Sequence, residues 1–414
     1  MAFCCEEHLL NSMISENQRV LSGMRPTGRM HLGHLHGVLK NWLRLQHEFE
    51  CFYCVVDWHA LTTNYEQSRD IEPAMWEMLV DWLAVGVDPG KAKLFIQSHI
   101  LEHAELHLLL SMVTPLGWLE RVPTYKEQQE QLKDRDLATY GFLGYPVLMS
   151  ADILIYKAGW VPVGEDQVPH VELTREIARR FNHIFGREVD FESRAESAVK
   201  KLGKKNGKLY RDLRTRYQQQ GDHEALSTAR ALLAENHNLT LGDRDRLMGY
   251  LEGGGRSILT EPQPLLTAVA RMPGLDGRKM SKSYGNTISL REEPQQVEEK
   301  LRTMPTDPAR ARRTDPGNPE KCPVWEFHKV YSDETTREWV WKGCTTAGIG
   351  CLECKQPVIE SVLKELKPIR ERALEIEADP GMVRSIINQG CDAARDVARD
   401  TMEEVRQAMG LSYR

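Results

Sequence analysis

No run in this 414-residue chain approaches the roughly 18 consecutive apolar residues that a membrane-crossing helix needs. The opening stretch, MAFCCEEHLLNSMISENQRV, lacks the basic start, apolar core and small-residue cleavage site of a secretory signal. There is no internal repeat and no long low-complexity tract. An excess of positive charge is missing too: 54 Lys and Arg against 60 Asp and Glu leave a net charge of −6, which excludes a protein that coats nucleic acid over its whole surface. These absences predict a cytoplasmic protein with no membrane contact and no DNA partner. In that compartment thiols stay reduced, so the nine cysteines, an odd number, do not form a disulfide framework. What is present is ordinary for a globular chain, 41% hydrophobic and 28% charged residues, in a length that supports two or three domains with cores of their own.

Over the first 190 residues, short apolar runs alternate with longer helical patterns. RVLSGM (19–24), CFYCVVD (51–57), AKLFIQ (92–97) and WVPVG (160–164) read as strands. HLHGVLKNWLRLQHEF and PAMWEMLVDWLAVGV carry apolar residues at three- and four-residue spacing and read as helices. Strand and helix in alternation predict an α/β fold, a parallel sheet wound with helices in the Rossmann-like manner. Residues 191–262 are polar, basic at their start and end in Gly253-Gly254-Gly255. They read as a partly helical insertion with a loosely packed edge, holding one helix at HEALSTARALLAENH. Residues 263–293 return to the first domain, and 294–414 read as a helical bundle.

Two strings carry chemistry. After the first strand comes Ser22-Gly23-Met24-Arg25-Pro26-Thr27-Gly28-Arg29-Met30-His31-Leu32-Gly33-His34. Its glycines let backbone approach a phosphate or a purine closely. Gly33 and His34 fall at a helix start, where free N–H groups favour an anion. His31 and His34 offer two donors to the same phosphate chain; alone, such a pair reads equally well as two half-exposed helix-start residues. The second string is Lys279-Met280-Ser281-Lys282-Ser283, preceded by Gly274, Asp276 and Gly277. Two lysines on a glycine-bearing loop suit a clamp on a triphosphate, stabilising pentavalent phosphorus as pyrophosphate departs. By itself this string is more often a solvated loop. The two strings stand 245 residues apart, from His34 to Lys279.

Together they resemble the HIGH and KMSKS motifs of class I aminoacyl-tRNA synthetases, with HLGH for HIGH. GMRPTGRMHLGHLHG, VDWHALTTNY, YPVLMSADILIYKAGWVPVGEDQ and HVELTREIARRFN narrow the resemblance to tryptophanyl-tRNA synthetases, over residues 19–187 and 262–400. The resemblance implies a catalytic domain at 1–190, a KMSKS loop within 263–293 and an anticodon-binding helical domain at 294–414. It implies L-tryptophan, ATP with Mg²⁺ and tRNA(Trp) as partners, and a homodimer. His31, His34, Lys279 and Lys282 would act on the phosphates. Arg25, Pro26, Thr27, Gly33, Gly164, Glu165, Asp166, Met272, Met280, Ser281 and Ser283 would complete the ATP site. Asp152 would accept the indole N–H, with Tyr145, Met149, Val161, Val163 and Gln167 lining the pocket and Gly23 on its floor. A buried carboxylate left without a donor makes phenylalanine a poor substitute, by about 10⁴ or more at a polar site. The plainer reading of Asp152 is a helix-surface aspartate.

Cys322, Cys344, Cys351 and Cys354 follow the spacing C-x21-C-x6-C-x2-C. Four thiolates can hold an iron–sulfur cluster or zinc, or stand idle. A subset of the resembled family carries a [4Fe–4S] cluster at nearly this spacing, with one more residue in the first gap. Cys51 and Cys54 fall three apart on a strand, facing opposite sides, and read as buried thiols; Cys4, Cys5 and Cys391 show no partner pattern. From Lys200 to Arg216 eight positive residues and one negative, Asp212, net +7. That run is either a solvated face or an arm for tRNA phosphates. Rival readings are a tyrosyl-tRNA synthetase, a small-molecule nucleotidyltransferase that also uses HxGH, and a non-catalytic RNA-binding paralogue.

Overall fold

The computed structural model describes residues 18–122, 139–186, 190–236, 238–266 and 272–413. The readings of the N-terminal stretch, Cys4 and Cys5 lie outside the described residues. Five strands form one sheet: β1 Arg19–Met24, β2 Glu50–Val55, β3 Ala92–Ile96, β4 Trp160–Val163 and β5 Gln263–Leu266, in the order β3-β2-β1-β4-β5. β2 runs parallel to β3 from Cys51 opposite Ala92 to Val55 opposite Ile96, and β1 runs parallel to β4. This is the parallel α/β sheet that the alternating pattern predicts. β2 is buried from Cys51 to Val55, as a strand covered on both faces must be. Cys51 and Cys54 lie inside it as buried thiols, and burial pushes Cys51 up to about 11. β5 was not anticipated, since QPLL is four residues long and contains a proline that a central strand would not tolerate.

The chain divides into two compact units. One comprises the described parts of Met1–Ser22, Gln97–Leu265 and Asp392–Arg414; the other comprises Gly23–Ile96 and Leu266–Cys391. In the second, the helix Ile71–Val85 packs against the 27-residue helix Cys351–Glu377. Ile71–Val85 stops at Gly86, whose φ of 114° is the left-handed conformation that a helix end favours in glycine. From Pro294 onward, long stretches are helical, ending in Pro380–Ala408. Among the described residues, no helix is long and apolar enough to cross a membrane.

In the first unit, the helix Tyr140–Leu154 is capped by the Thr139 side chain, which accepts the Phe142 N–H. It packs against Glu102–Ser111 and Val168–Phe185. Residues 190–251 differ from the loose insertion that their polarity suggests. They form four helices, Phe191–Lys201, Gly203–Gln220, His223–Ala234 and Leu241–Leu251, around a shared core that includes Val199, Tyr210, Leu213, Leu233, Leu247 and Leu251. Few apolar residues suffice because they recur at helical spacing and meet on one side.

Candidate functional site

In the second unit, β1 leads into a turn through Gly28, at a φ of 77°. The Met30 N–H donates to Asp81 Oδ2 at 2.6 Å, and Arg291 Nε lies 2.7 Å from Asp81 Oδ1. Burial raises this carboxyl to about 6 while Arg291 pulls it the other way. The buried ion pair pins the turn so that His31 arrives as the N-cap of the short helix Leu32–His34. The cap is reciprocal: His31 Nδ1 accepts the Gly33 N–H at 3.1 Å, and His34 Nδ1 accepts the His31 N–H at 3.3 Å. A Cβ on Gly33 would sit 2.9 Å from the His31 ring, so this geometry requires glycine there.

Burial, then the Lys282 charge, lowers His31 to about 4. Burial, then His31, Lys282 and Lys279, lowers His34 to about 3. Both imidazoles are therefore neutral at physiological pH. Because each accepts at Nδ1, each carries its proton at Nε2. The pair presents N–H donors without adding charge.

The lysine string lies in the same unit. Pro273 bridges Lys279 in a short antiparallel pair, with the Gly274 N–H donating to the Arg278 carbonyl at 2.7 Å. Met280 is buried, and its Sδ lies 3.3 Å from the Gly33 N–H. Lys282 Nζ donates to the Thr27 carbonyl. Asn286 organises the loop: its Oδ1 accepts the Ser281 N–H at 2.8 Å, and its Nδ2 donates to Asp276 Oδ1 at 2.7 Å and to the Lys279 carbonyl at 3.1 Å. A Cβ on Gly274 would come within 2.1 Å of that amide. His31 and Lys282 line a cavity of about 480 Å³ whose wall mixes the cations Arg29, Arg291 and Lys300 with the acids Glu292 and Glu293. Of the other residues placed at ATP, Arg25 and Thr27 are exposed, and Pro26 and Met272 are buried. Gly23 leaves a Cβ only 2.8 Å from Val56.

The first unit holds Asp152, 3% exposed, near the end of its helix. The helix-surface reading of this residue is excluded. Gln97 Nε2 donates to both carboxylate oxygens, at 2.7 and 2.8 Å. His103 Nδ1 lies 2.6 Å from Asp152 Oδ1, and His103 Nε2 lies 2.6 Å from the Tyr156 hydroxyl. One neutral tautomer satisfies both contacts: Tyr156 O–H donates to Nε2, and Nδ1–H donates to the carboxylate. Val161 is buried, while Tyr145, Met149, Val163 and Gln167 are half-buried. The Tyr145 hydroxyl meets His170 Nε2 at 3.0 Å. Gly164, Glu165 and Asp166 follow β4 and are exposed, with Gln167 Nε2 donating to Asp166 Oδ2 at 3.0 Å. Gln97, His103, Tyr156, Asn286, Asp81 and Arg291 escaped the sequence reading. Gln97 alone left a signal, its place at the C-terminal end of a strand, where open α/β sheets bind ligands.

The four spaced cysteines fall in the second unit. Cys344 is buried and Cys322, Cys351 and Cys354 half-buried. They share one electrostatic neighbourhood: burial first, then the charges of Cys322, Cys344 and Cys351, push Cys354 up to about 12. Beside them lie two buried cations. Arg310, 8% exposed, donates to the carbonyls of Arg313 and Ile349 and reaches Cys344 Sγ at 3.9 Å, while its Nε has no hydrogen-bond partner among the described residues. Lys355, 5% exposed, donates to the carbonyls of Arg302 and Met304, both at 2.6 Å. Among the described residues, no three His, Cys, Asp or Glu side chains stand together as a single metal ion requires.

A parallel sheet of this order carrying the HLGH and KMSKS strings has the class I fold, and comparison with known proteins carries this further. The family of tRNA synthetases class I (W and Y) matches residues 14–208 and 236–367, so the chain belongs to that family. Its relatives sit on the tryptophan side of it. The chain is 67% identical to the tryptophan–tRNA ligase of Ralstonia nicotianae, over 96% of this chain and 99% of that protein. It is 44% identical to that of Thermotoga maritima, over 95% and 100% of the two. Among solved structures, the tryptophanyl-tRNA synthetase of Campylobacter jejuni complexed with ADP and tryptophan aligns at a TM-score of 0.70 and 26% identity, covering 95% of this chain and all of that one.

Proposed function

We propose that the chain is a tryptophan–tRNA ligase: it activates L-tryptophan with ATP to tryptophanyl-adenylate and transfers the tryptophanyl group to the 3′ end of tRNA(Trp). The observation that carries this reading is the closure of one signature string on the other, with Met280 against Gly33 and Lys282 on the Thr27 carbonyl. In the first step a tryptophan carboxylate oxygen attacks the α-phosphorus and pyrophosphate leaves. In the second the terminal ribose hydroxyl of tRNA attacks the adenylate carbonyl and AMP leaves. No covalent nucleophile from the protein is needed, so catalysis is positioning plus charge stabilisation. Lys279 and Lys282 supply positive charge to the triphosphate, and the Nε2–H groups of His31 and His34 donate to it. Arg25, Pro26, Thr27, Gly33, Met272, Met280, Ser281 and Ser283, with Gly164, Glu165 and Asp166, complete the ATP contacts. Mg²⁺ enters with the nucleotide.

Asp152 accepts the indole N–H, its carboxylate held by Gln97 and His103; Gly23, Tyr145, Met149, Val161, Val163 and Gln167 form the rest of the amino-acid site. The working form is a cytoplasmic homodimer. ATP–pyrophosphate exchange tests the reading: exchange driven by tryptophan supports it, and exchange driven by tyrosine alone overturns it.

Cys322, Cys344, Cys351 and Cys354 suit a [4Fe–4S] cluster in their donor chemistry. A cluster of several irons spreads its thiolates further than the one centre of a zinc site, where each sulfur lies about 2.3 Å from the metal. It is also anionic, and buried cations need compensation. Arg310, with its unsatisfied Nε, and Lys355 would provide that counter-charge. When bound, the cluster would knit the loop carrying Cys322 to the helices carrying the other three thiols. Iron, sulfide and zinc analysis with an absorbance spectrum on an anaerobic preparation tests this; four reduced thiols and no iron would overturn it.

A further inference from the structure

The basic run from Lys200 to Arg216 separates in the structure into two populations. Four of its cations are occupied internally. Lys201 bonds Asp243 at 2.6 Å, Arg211 bonds Glu196 at 2.7 Å and Arg216 bonds Asp222 at 2.6 Å. Arg214 stacks on the Tyr250 ring at 3.8 Å and donates to the Tyr250 carbonyl. The other four, Lys200, Lys204, Lys205 and Lys208, are exposed, and none has an ion pair or hydrogen bond among the described residues.

These four gather at one elbow. Lys200 lies in the last turn of Phe191–Lys201, and Gly203, at a φ of 81°, starts the next helix in which Lys204, Lys205 and Lys208 fill the first turns. The faces behind them are fixed, with Val199, Leu202 and Tyr210 packed into the four-helix core. Lysines at the N-terminal end of an 18-residue helix oppose its dipole, at roughly 0.3–1 kcal/mol each. No acidic residue stands in that first turn to offset them. Elsewhere in the run the fold gives each cation a partner; here Lys204 and Lys205 stand in a first turn where the dipole disfavours them, with Lys208 one turn on and Lys200 at the C-terminal end of the preceding helix. A solvated face needs charge but has no reason to place it there.

We propose that this elbow is a binding surface for an RNA phosphodiester backbone, that of the tRNA substrate. The inference rests on the ligase reading above and adds the surface that meets the tRNA. The test compares three full-length proteins: the wild type, a quadruple variant (Lys200→Ala, Lys204→Ala, Lys205→Ala, Lys208→Ala) and a control triple variant (Lys201→Ala, Arg211→Ala, Arg216→Ala). Each is titrated with labelled tRNA(Trp) over a range of salt and assayed for tryptophan-dependent ATP–pyrophosphate exchange, which needs no tRNA. The quadruple variant is expected to keep wild-type exchange while its tRNA Kd rises about tenfold or more. Its slope of log affinity against log salt should become shallower by about 3, at roughly 0.7–0.9 for each of the four lost phosphate contacts. The control triple variant is expected to keep the wild-type slope and to lose thermal stability instead. Unchanged affinity and slope in the quadruple variant, or an equal change in slope from the control, overturns the proposal. Absence of tryptophan-dependent exchange in the wild type sinks the ligase reading separately, while the tRNA titration still decides the elbow.

Discussion

The HLGH and KMSKS strings and the Asp152 cluster are built in opposite ways. Around His31 and His34 the arrangement is made by local means: Nδ1 atoms capped by backbone N–H groups within three residues, a glycine that leaves room for a ring, and neutral imidazoles beside a lysine. Around Asp152 a buried carboxylate is fixed by side chains from other elements, Gln97 just past β3 and His103 from the helix Glu102–Ser111, with Tyr156 behind. The first arrangement rests on local backbone geometry. The second is directional and holds the carboxylate in one orientation. Charge handling can be built from backbone, whereas selection of one side chain requires a polar group whose partners leave it a single orientation.

The largest expected effect tests that directionality. Asp152→Asn keeps the shape but turns one oxygen into an NH₂ group facing donors on Gln97 and His103. Tryptophan-dependent exchange should fall about 10³-fold or more in kcat/KM, as polar recognition sites do when a partner is lost, while the KM for ATP stays near wild type. A loss below tenfold would show that the carboxylate is not what selects the amino acid. Next is Lys282→Ala, which should lower kcat for exchange by about 10²–10³, the scale for one preorganised charge-stabilising group. Its KM for tryptophan should hardly move, and a KM effect alone would assign Lys282 to ground-state binding. Third is His103→Ala. Losing one hydrogen bond to a charged group amounts to about 1.5–3 kcal/mol, so the KM for tryptophan should rise about 10- to 100-fold with kcat less affected. His103→Gln should restore part of that; no difference between the two variants would argue against a positioning role.

The same contrast explains what the sequence could disclose. The first four strands were legible from their apolar runs, which in β2 and β3 reflect burial on both faces, whereas β5, short and holding Pro264, has no such run. The HLGH and KMSKS strings were legible because their chemistry is contiguous. Asn286, three residues beyond Ser283, was not, since an asparagine after a glycine reads as a turn until its three bonds are seen. Gln97 and His103 were illegible because a residue's value as a partner for Asp152 depends on a fold that brings together positions 49 and 55 apart in sequence. The insertion misled for a simpler reason. Its exposed lysines dominate the charge pattern, while the core beneath them is built from dispersed leucines and alanines with Val199 and Tyr210.

The smallest effect concerns pH and separates the imidazole pair from the rest of the fold. His31 titrates at about 4 and His34 at about 3 when folded, against 6.5 ordinarily. Below pH 6.5 the unfolded chain takes up protons that the folded pair refuses until its own lower values are reached. Stability therefore falls as pH drops from 6.5 toward 4, and this contribution is flat above about pH 7. Glu365 acts in a lower window. Burial pushes it up, but hydrogen bonds from His36, Lys40 and Tyr331 outweigh that and hold it at about 2 against 4.5, so its stabilisation disappears only below pH 4.5. The double variant His31→Asn, His34→Asn keeps an acceptor near each Nδ1 position and removes both titrating groups. Its Tm should fall less than that of the wild type between pH 6.5 and 4.5, and the two curves should run parallel above pH 7. Equal slopes between pH 6.5 and 4.5 would mean that the pair is not held neutral by the fold, and the charge-free donor role drawn for it would have to be given up.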